Sequence, residues 1–342
     1  MSIEIRQYSQ MNKILSKGHF MSSSCSYKNI RKLILTIICL LVVSLLLLSF
    51  YSLKSFKLPL YFSDYKTEQH NIFFVETSSS SSLNIRQACA VESTARHYPS
   101  SLINVLMFTS NPDIHINFTL LPNVKIQRTK FEKVFENTPL LEWYIEGKWN
   151  KSNYKISHLS DATRYALIWK YGGMFLDLDI VMMKTFPFYK NFVIKESSNQ
   201  LCSGIFAMER NHTILYKCME YIKQSYDSNC FACIGPLLIT KEISSFCHQE
   251  ITDNITKQLD CGIKVFDPIT AFPVYYTRWR DYFSSSSAEN VLQRINNSVL
   301  IHVWNKLSAN KKLKPGSGSA YELSMATHCP LVYEKAVHME SL

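Results

Sequence analysis

The chain has 342 residues, a formal net charge of +10, 46% apolar residues and ten cysteines. Residues 1–32 carry Arg6, Lys13, Lys17, Lys28, Arg31 and Lys32 against Glu4, a net of +5 and so half of the total. The other half is spread thinly over the rest of the chain, which excludes the concentrated basic face of a nucleic-acid binder.

Residues 33–51 are 19 consecutive uncharged, mostly apolar positions, just long enough as a helix to cross a bilayer's hydrocarbon core. The run begins late and leaves through Phe50, Tyr51, Ser52, Leu53 and Lys54 without a small-residue cleavage site, so it reads as an uncleaved anchor over 33–53 and not as a signal peptide. Positive residues stay on the cytoplasmic side. The expected order is therefore a cytoplasmic tail at 1–32, a single-pass type II signal-anchor, a polar stem at 54–70 and a lumenal or extracellular domain at 71–342. Five Asn-x-Ser/Thr acceptors, at Asn117, Asn150, Asn211, Asn254 and Asn296, suit that compartment. So do Cys89, Cys202, Cys218, Cys230, Cys233, Cys247, Cys261 and Cys329, an even set expected to form structural disulfides in a pairing that spacing does not reveal. Cys230 and Cys233 have a redox or zinc spacing, but no second CxxC or His pair completes a zinc site.

From Asn71 onward about 270 residues are ample for one large core. Ile72-Phe73-Phe74-Val75 predicts a buried first strand, residues 78–82 a loop, and Ala88, Val91 and Ala95 one face of a helix. Residues 103–108 predict another strand. Ile114, Ile116, Phe118 and Leu120 alternate with polar neighbours, which would put Asn117 on a solvent face. A helix follows with Leu159, Ala162, Ala166 and Trp169 as its apolar stripe, Ser157 or Ser160 as cap and Gly172 as stop. Asp161 and Arg164, three apart, share another of its faces as an ion pair. Gly172-Gly173-Met174-Phe175-Leu176 then predicts a buried strand. Strands alternating with helices imply an α/β fold with a mainly parallel sheet, and ligands of such sheets gather at the carboxyl ends of the strands.

Asp177-Leu178-Asp179 stands at such an end. Two carboxylates two residues apart on an extended backbone point the same way, and ionised carboxylates beside a core need a companion, for which a divalent cation is the natural choice. The segment Leu159-Ser160-Asp161-Ala162-Thr163-Arg164, followed by Trp169-Lys170-Tyr171-Gly172-Gly173-Met174-Phe175-Leu176-Asp177-Leu178-Asp179, resembles the signature of the DxD-containing retaining glycosyltransferases of the lactosylceramide 4-alpha-galactosyltransferase / alpha-1,4-N-acetylglucosaminyltransferase family. Phe73-Phe74-Val75-Glu76-Thr77-Ser78, Cys89-Ala90-Val91-Glu92-Ser93, Pro139-Leu140, the stretch Ser203-Gly204-Ile205-Phe206-Ala207-Met208-Glu209-Arg210, Gly235-Pro236 and His302-Val303-Trp304-Asn305 resemble further blocks of it in the same order. The likeness is greater to the glycolipid galactosyltransferase branch. Ile234-Gly235-Pro236 departs from the family, where a polar residue often precedes the Gly-Pro, and this bears on sugar or acceptor selectivity.

The resemblance implies a GT-A type nucleotide-sugar-binding fold, a UDP-sugar donor and Mn²⁺. It places Asp177, Asp179 and His302 on the metal, and Asp161, Arg164, Gly204 and Gly235 around the donor. It offers Glu209 as a carboxylate for a covalent route, against same-face attack in which a donor phosphate oxygen takes the acceptor proton. The implied reaction moves galactose or N-acetylgalactosamine from UDP to the terminal sugar of a neutral glycosphingolipid. Alternatives are an enzyme acting on glycoprotein glycans and an inactive glycan-binding protein of the Golgi. Of the five tryptophans, Trp143, Trp149, Trp169, Trp279 and Trp304, most read as core; the segment Tyr275-Tyr276-Thr277-Arg278-Trp279-Arg280 reads as an exposed surface for an acceptor sugar.

Overall fold

The structure, a computed structural model, describes residues 71–115, 121–187, 190–252, 255–312 and 315–338. The expected anchor and stem, residues 116–120 of the strand expected over 114–120 and the sequons at Asn117 and Asn254 lie outside those residues. Among the described residues no helix is long and apolar enough to cross a membrane.

The main sheet has seven strands. β1 (Asn71–Glu76), β2 (Leu102–Met107) and β3 (Val124–Arg128) run outward in one direction, and the chain then returns to lay β4 (Gly173–Leu176) on the other side of β1. All these neighbours are parallel. β6 (Phe192–Ser197), β7 (Gln200–Met208) and β8 (Lys264–Phe266) complete the order β3-β2-β1-β4-β7-β6-β8. β7 is antiparallel to both β4 and β6, while β8 is parallel to β6, so β7 alone opposes the rest. The mainly parallel α/β sheet expected from the alternation of elements is what forms. The reversal of chain order falls between β1 and β4, where the carboxyl ends of two parallel strands leave an open crevice.

Strand alternation splits the core. Ile72 and Phe74 of β1 pack with α1 (Ile85–His97), whereas Phe73 and Val75 pack on the opposite face with α2 (Lys155–Tyr171). The helix expected around Ala88, Val91 and Ala95 is α1, its start fixed by a reciprocal capping box between Asn84 and Gln87. α2 buries Leu159, Ala162 and Ala166 as its pattern requires, with Trp169 half-buried, and ends at Gly172, whose φ of 66° suits glycine. Its start differs from expectation. The helix begins at Lys155 without a side-chain cap, so Ser157 and Ser160 lie inside it; the Ser152 hydroxyl accepts from the Tyr154 N–H just before it. The α3 helix (Thr213–Ser225) and α4 (Pro236–Cys247) cover the same face as α2, and α5 (Ala320–His328) and α6 (Pro330–Val337) pack with α1.

Three disulfides form: Cys89–Cys329, Cys230–Cys233 and Cys247–Cys261. The expectation that all eight cysteines pair fails for Cys202 and Cys218, which are free and buried. Cys202 belongs to the core on one face of the sheet and Cys218 to the core on the other, so the sheet itself separates them. Each acts as a small buried hydrophobe.

Candidate active site

After Leu176 the chain leaves the main sheet. Asp177 still donates its N–H to the Gly204 carbonyl (2.8 Å), Leu178 and Asp179 turn, and β5 (Ile180–Met182) pairs antiparallel with β9 (Leu300–His302), placing Ile180 opposite His302. This second pairing brings a residue more than a hundred positions away onto the Asp-x-Asp turn. The Nε2 atom of His302 lies 3.1 Å from Asp179 Oδ1 and 4.0 Å from Asp177 Oδ2. One ligand atom from each of the three residues falls within 4.8 Å of the others.

Each member is held from behind. Asp179 Oδ2 accepts the Asn305 N–H at 2.7 Å and the Asp179 carbonyl accepts the Val303 N–H at 2.9 Å. Trp304, between them, has φ 57° and ψ 55°, a left-handed conformation that costs a bulky residue about 1–3 kcal/mol and turns the Asn305 N–H back toward the carboxylate. The Trp304 backbone nitrogen lies 3.3 Å from His302 Nδ1, and Nε2 faces the aspartates. Burial opposes charge on His302, but Asp179 and Asp177 outweigh it and lift its pKa to about 10; burial opposes ionisation of Asp179, yet His302 and the Asn305 N–H hold its carboxyl below the usual range.

Asp177 is held through Arg164. The guanidinium Nη1 meets Asp161 Oδ1 (2.9 Å) and donates to Ser203 Oγ (2.9 Å), while Nη2 donates to Ser160 Oγ (3.0 Å) and Asp177 Oδ1 (3.1 Å). The same group lies 4.7 Å above the Phe175 ring. The Asp161–Arg164 pair, readable from sequence as a surface pair, is in fact buried, with side chains 10% and 6% exposed. Burial raises the Asp161 carboxyl to about 6 in spite of Arg164. Both terminal nitrogens of Arg164 are already engaged, so its place is behind Asp177 more than toward a ligand.

The two glycines expected near the donor have steric roles. A Cβ on Gly204 would sit 2.0 Å from Asp177 Oδ2, and one on Gly235 would sit 2.9 Å from both Asp161 carboxylate oxygens. Any side chain at either position would evict a carboxylate of this cluster.

A cavity of about 820 Å³ opens over these groups; Glu76 at the end of β1, Thr77 and Ser78 after it, and Asp177 after β4, line it together with Asp161, Arg164, Asp179, Gly204 and His302. Tyr275 and Tyr276, each 41% exposed as the sequence suggested for that segment, form part of its wall. Glu209 is elsewhere. It is exposed, paired with Lys190 at 3.3 Å, and lines a different cavity of about 590 Å³ near Gly173 and Arg210. Met208 pairs with Gly173, so antiparallel β7 delivers Glu209 to the amino end of β4, the edge opposite Asp177.

Three residues of the large cavity carried no recognised signal. Lys306 is exposed, its Nζ 5.3 Å and 5.0 Å from the ring centroids of Tyr154 and Phe231, the latter presented by the short Cys230–Cys233 loop. Its signal was adjacency to the His302–Asn305 block. Arg86 reaches from α1 to donate to the Ser308 carbonyl (2.9 Å). Glu196 near the end of β6 sits in no periodic or motif context at all.

The donor set of two carboxylates and an imidazole, converging at the mouth of a nucleotide-sized cavity, suits a divalent cation of the Mn²⁺ kind. A profile described as the glycosyltransferase sugar-binding region containing the DXD motif matches residues 84–199, and one described as the alpha 1,4-glycosyltransferase conserved region matches residues 207–336. The protein is a glycosyltransferase, and its mostly parallel sheet carries the Asp-x-Asp at the carboxyl edge. The lactosylceramide 4-alpha-galactosyltransferase of Mus musculus is 33% identical over 273 residues, covering 77% of this chain and 75% of that one. The Homo sapiens protein of the same name is 30% identical over 275 residues, covering 77% and 76%. The alpha-1,4-N-acetylglucosaminyltransferase of Homo sapiens is 27% identical over 298 residues, covering 84% and 86%. The chain belongs to this family of alpha-1,4-glycosyltransferases.

Proposed function

We propose that the protein transfers galactose or N-acetylgalactosamine from a UDP-sugar to the terminal sugar of a neutral glycosphingolipid, with retention, in an α-1,4 linkage and with Mn²⁺ as cofactor. The observation that carries this reading is the convergence of Asp177, Asp179 and His302 at the switch point between β1 and β4. The likeness in sequence to proteins named for lactosylceramide galactosyl transfer supports the choice of sugar and acceptor.

A divalent ion bound there supplies a Lewis acid that offsets the charge building on the departing diphosphate. The chain's own groups do the rest. Arg164, by fixing Asp177, and the Asn305 N–H, by fixing Asp179, hold the two carboxylates in one orientation before any donor arrives. Lys306 adds an exposed positive charge at the same cavity, suited to a phosphate. Glu76, Thr77 and Ser78, at the end of β1, border the part of the crevice open to a nucleoside. With Glu209 at the other edge of the sheet, the covalent route loses its named carboxylate. Same-face attack, with the acceptor proton passing to the leaving phosphate oxygen, is the reading we favour.

A lumenal placement behind a single-pass anchor at 33–53, in the Golgi, belongs to the same proposal. It is supported by three disulfides, which an oxidising compartment maintains, and by the exposure of the described sequon residues Asn150, Asn211 and Asn296. The test is to incubate detergent-solubilised full-length protein with Mn²⁺, each of UDP-galactose, UDP-N-acetylgalactosamine and UDP-N-acetylglucosamine, and a lactosyl lipid or other neutral glycolipid. An α-1,4 product is expected with one of the first two. A β-linked product, transfer only to protein-linked glycans, or activity indifferent to chelator would overturn the proposal.

A further inference from the structure

Glu196 lies near the end of β6, half-buried, on the wall of the large cavity. Among the described residues its carboxylate makes no hydrogen bond or ion pair. Its charge is felt in two directions: by Asp177 and His302 at the metal-ligand cluster, and by Tyr275 at the aromatic wall. Burial above all pushes the Glu196 carboxyl upward, with Asp177 adding to it and His302 opposing. Glu196 thus shares one cavity wall with Asp177 and His302 and with the exposed rings of Tyr275 and Tyr276.

Those rings are held in place. Their centroids are 4.4 Å apart, and they stand edge-on to Trp304 at 6.2 Å and 5.9 Å. The Trp304 indole N–H in turn donates to the Val274 carbonyl at 2.9 Å. The site thus combines a fixed aromatic surface with an unpaired, acceptor-only carboxylate beside the reaction centre. An ionised carboxylate lacks any donor of its own and takes two or more hydroxyl hydrogens, while a tyrosine ring offers an apolar face to the C–H side of a sugar.

We infer that Glu196, with Tyr275 and Tyr276, forms the subsite for the acceptor's terminal sugar and selects a neutral hexose over an acidic one. The inference rests on the reading of this cavity as a glycosyl-transfer site. Selection follows from charge. Of the acidic residues Asp161, Asp177, Asp179 and Glu196 on the cavity wall, the first two are engaged by Arg164 and the third by His302, so the like charge that a carboxylate-bearing sugar seated there meets is that of Glu196, in a partly dehydrated site. A neutral sugar places hydroxyls there and completes the carboxylate's hydrogen bonds.

The experiment compares wild type, Glu196→Gln and Tyr275→Leu as full-length proteins in detergent, using a neutral lactosyl lipid and its sialylated form as acceptors. Glu196→Gln should raise the acceptor KM tenfold or more, leave acceptor-independent hydrolysis of the UDP-sugar within twofold of wild type, and narrow the preference for the neutral over the sialylated lipid. Tyr275→Leu should raise the acceptor KM for both lipids alike and leave donor hydrolysis intact. An unchanged acceptor KM in both variants, or a parallel fall in donor hydrolysis, overturns the subsite. Should wild type transfer no sugar from any UDP-hexose, the functional proposal fails, and saturation-transfer NMR with methyl lactoside decides the subsite separately. Binding by wild type that Glu196→Gln abolishes supports it; no binding by wild type overturns it.

Discussion

The two edges of the main sheet each present a carboxylate at the close of a strand, and they have opposite fates. Asp177 follows β4 and is drawn into a network with Arg164, His302 and Asp179; Glu209 follows β7 and meets Lys190 and Asn191 at the surface. Strand direction explains the difference. β4 runs with β1 and β2, so its end joins the crevice at the switch point, whereas β7 runs against them and ends at the other edge. The rule that ligands gather at carboxyl ends holds for the parallel strands that define the crevice. Applied to a residue of an antiparallel strand it points to the wrong side.

The strongest way to break this comparison is to exchange the losses. Asp179→Ala should reduce transfer to below about a hundredth of wild type, because it removes a proposed metal ligand and no core side chain, and it should leave the melting temperature within a few degrees. Glu209→Ala, which removes a solvent-screened pair between side chains 52% and 60% exposed, should leave kcat/KM within about twofold. Full activity in the first variant, or a large loss in the second, would reverse the assignment of the edges.

A finer test addresses how the carboxyl edge is held. Arg164→Ala leaves Asp161 buried beside Asp177 without a cation, and breaking a buried pair in this way costs about 3–5 kcal/mol. Both stability and metal affinity should fall, the latter by about 10–100-fold. Arg164→Lys should recover little, since one ammonium cannot serve Asp161, Asp177, Ser160 and Ser203 from a planar fork. Normal metal affinity with only a lowered melting temperature would make Arg164 a strut and nothing more. Calorimetric Mn²⁺ titration beside thermal unfolding separates the outcomes.

Much of this was legible in the sequence, and the parts that were not share a cause. Periodicity gave β1, α1, α2 and β4, because these are amphipathic or wholly buried elements whose patterns are local. The convergence of Asp161, Arg164, Asp177, Asp179 and His302 was visible only through the resemblance, since β5 and β9 are three residues each and no local pattern marks their pairing. Glu196 was missed because an unpaired carboxylate on a strand looks like any solvated glutamate. Pairing of all eight cysteines failed for the same kind of reason: number and compartment are properties of composition, while the sheet that parts Cys202 from Cys218 is tertiary.

Away from the site, the Cys89–Cys329 bond offers a control on the whole comparison. It ties α1 to the junction of α5 and α6 across 240 residues, and its loss should cost about 2–5 kcal/mol. The paired change Cys89→Ala with Cys329→Ala should lower the melting temperature while leaving kcat/KM within about threefold at temperatures where the protein stays folded. A specific loss of donor binding in that variant would show that α1, through Arg86, couples to the cavity more tightly than the packing implies.

The smallest expected effect is one of pH. Asp161 carries a carboxyl raised to about 6, chiefly by burial, so it is ionised above that value and protonated below it. Only the ionised form completes the charge pairing of Arg164 that holds Asp177. Transfer should therefore be flat above about pH 7 and fall by up to about tenfold per unit below 6. Asp161→Asn, which keeps the shape over Gly235 but cannot ionise, should be slower than wild type and lose that dependence between pH 5 and 7. A variant with the same acid limb as wild type would place the titration on another group, and His302, lifted to about 10 when no cation is bound, would then be examined through the pH dependence of Mn²⁺ binding, since a proton and the ion compete for Nε2 and affinity must rise with pH.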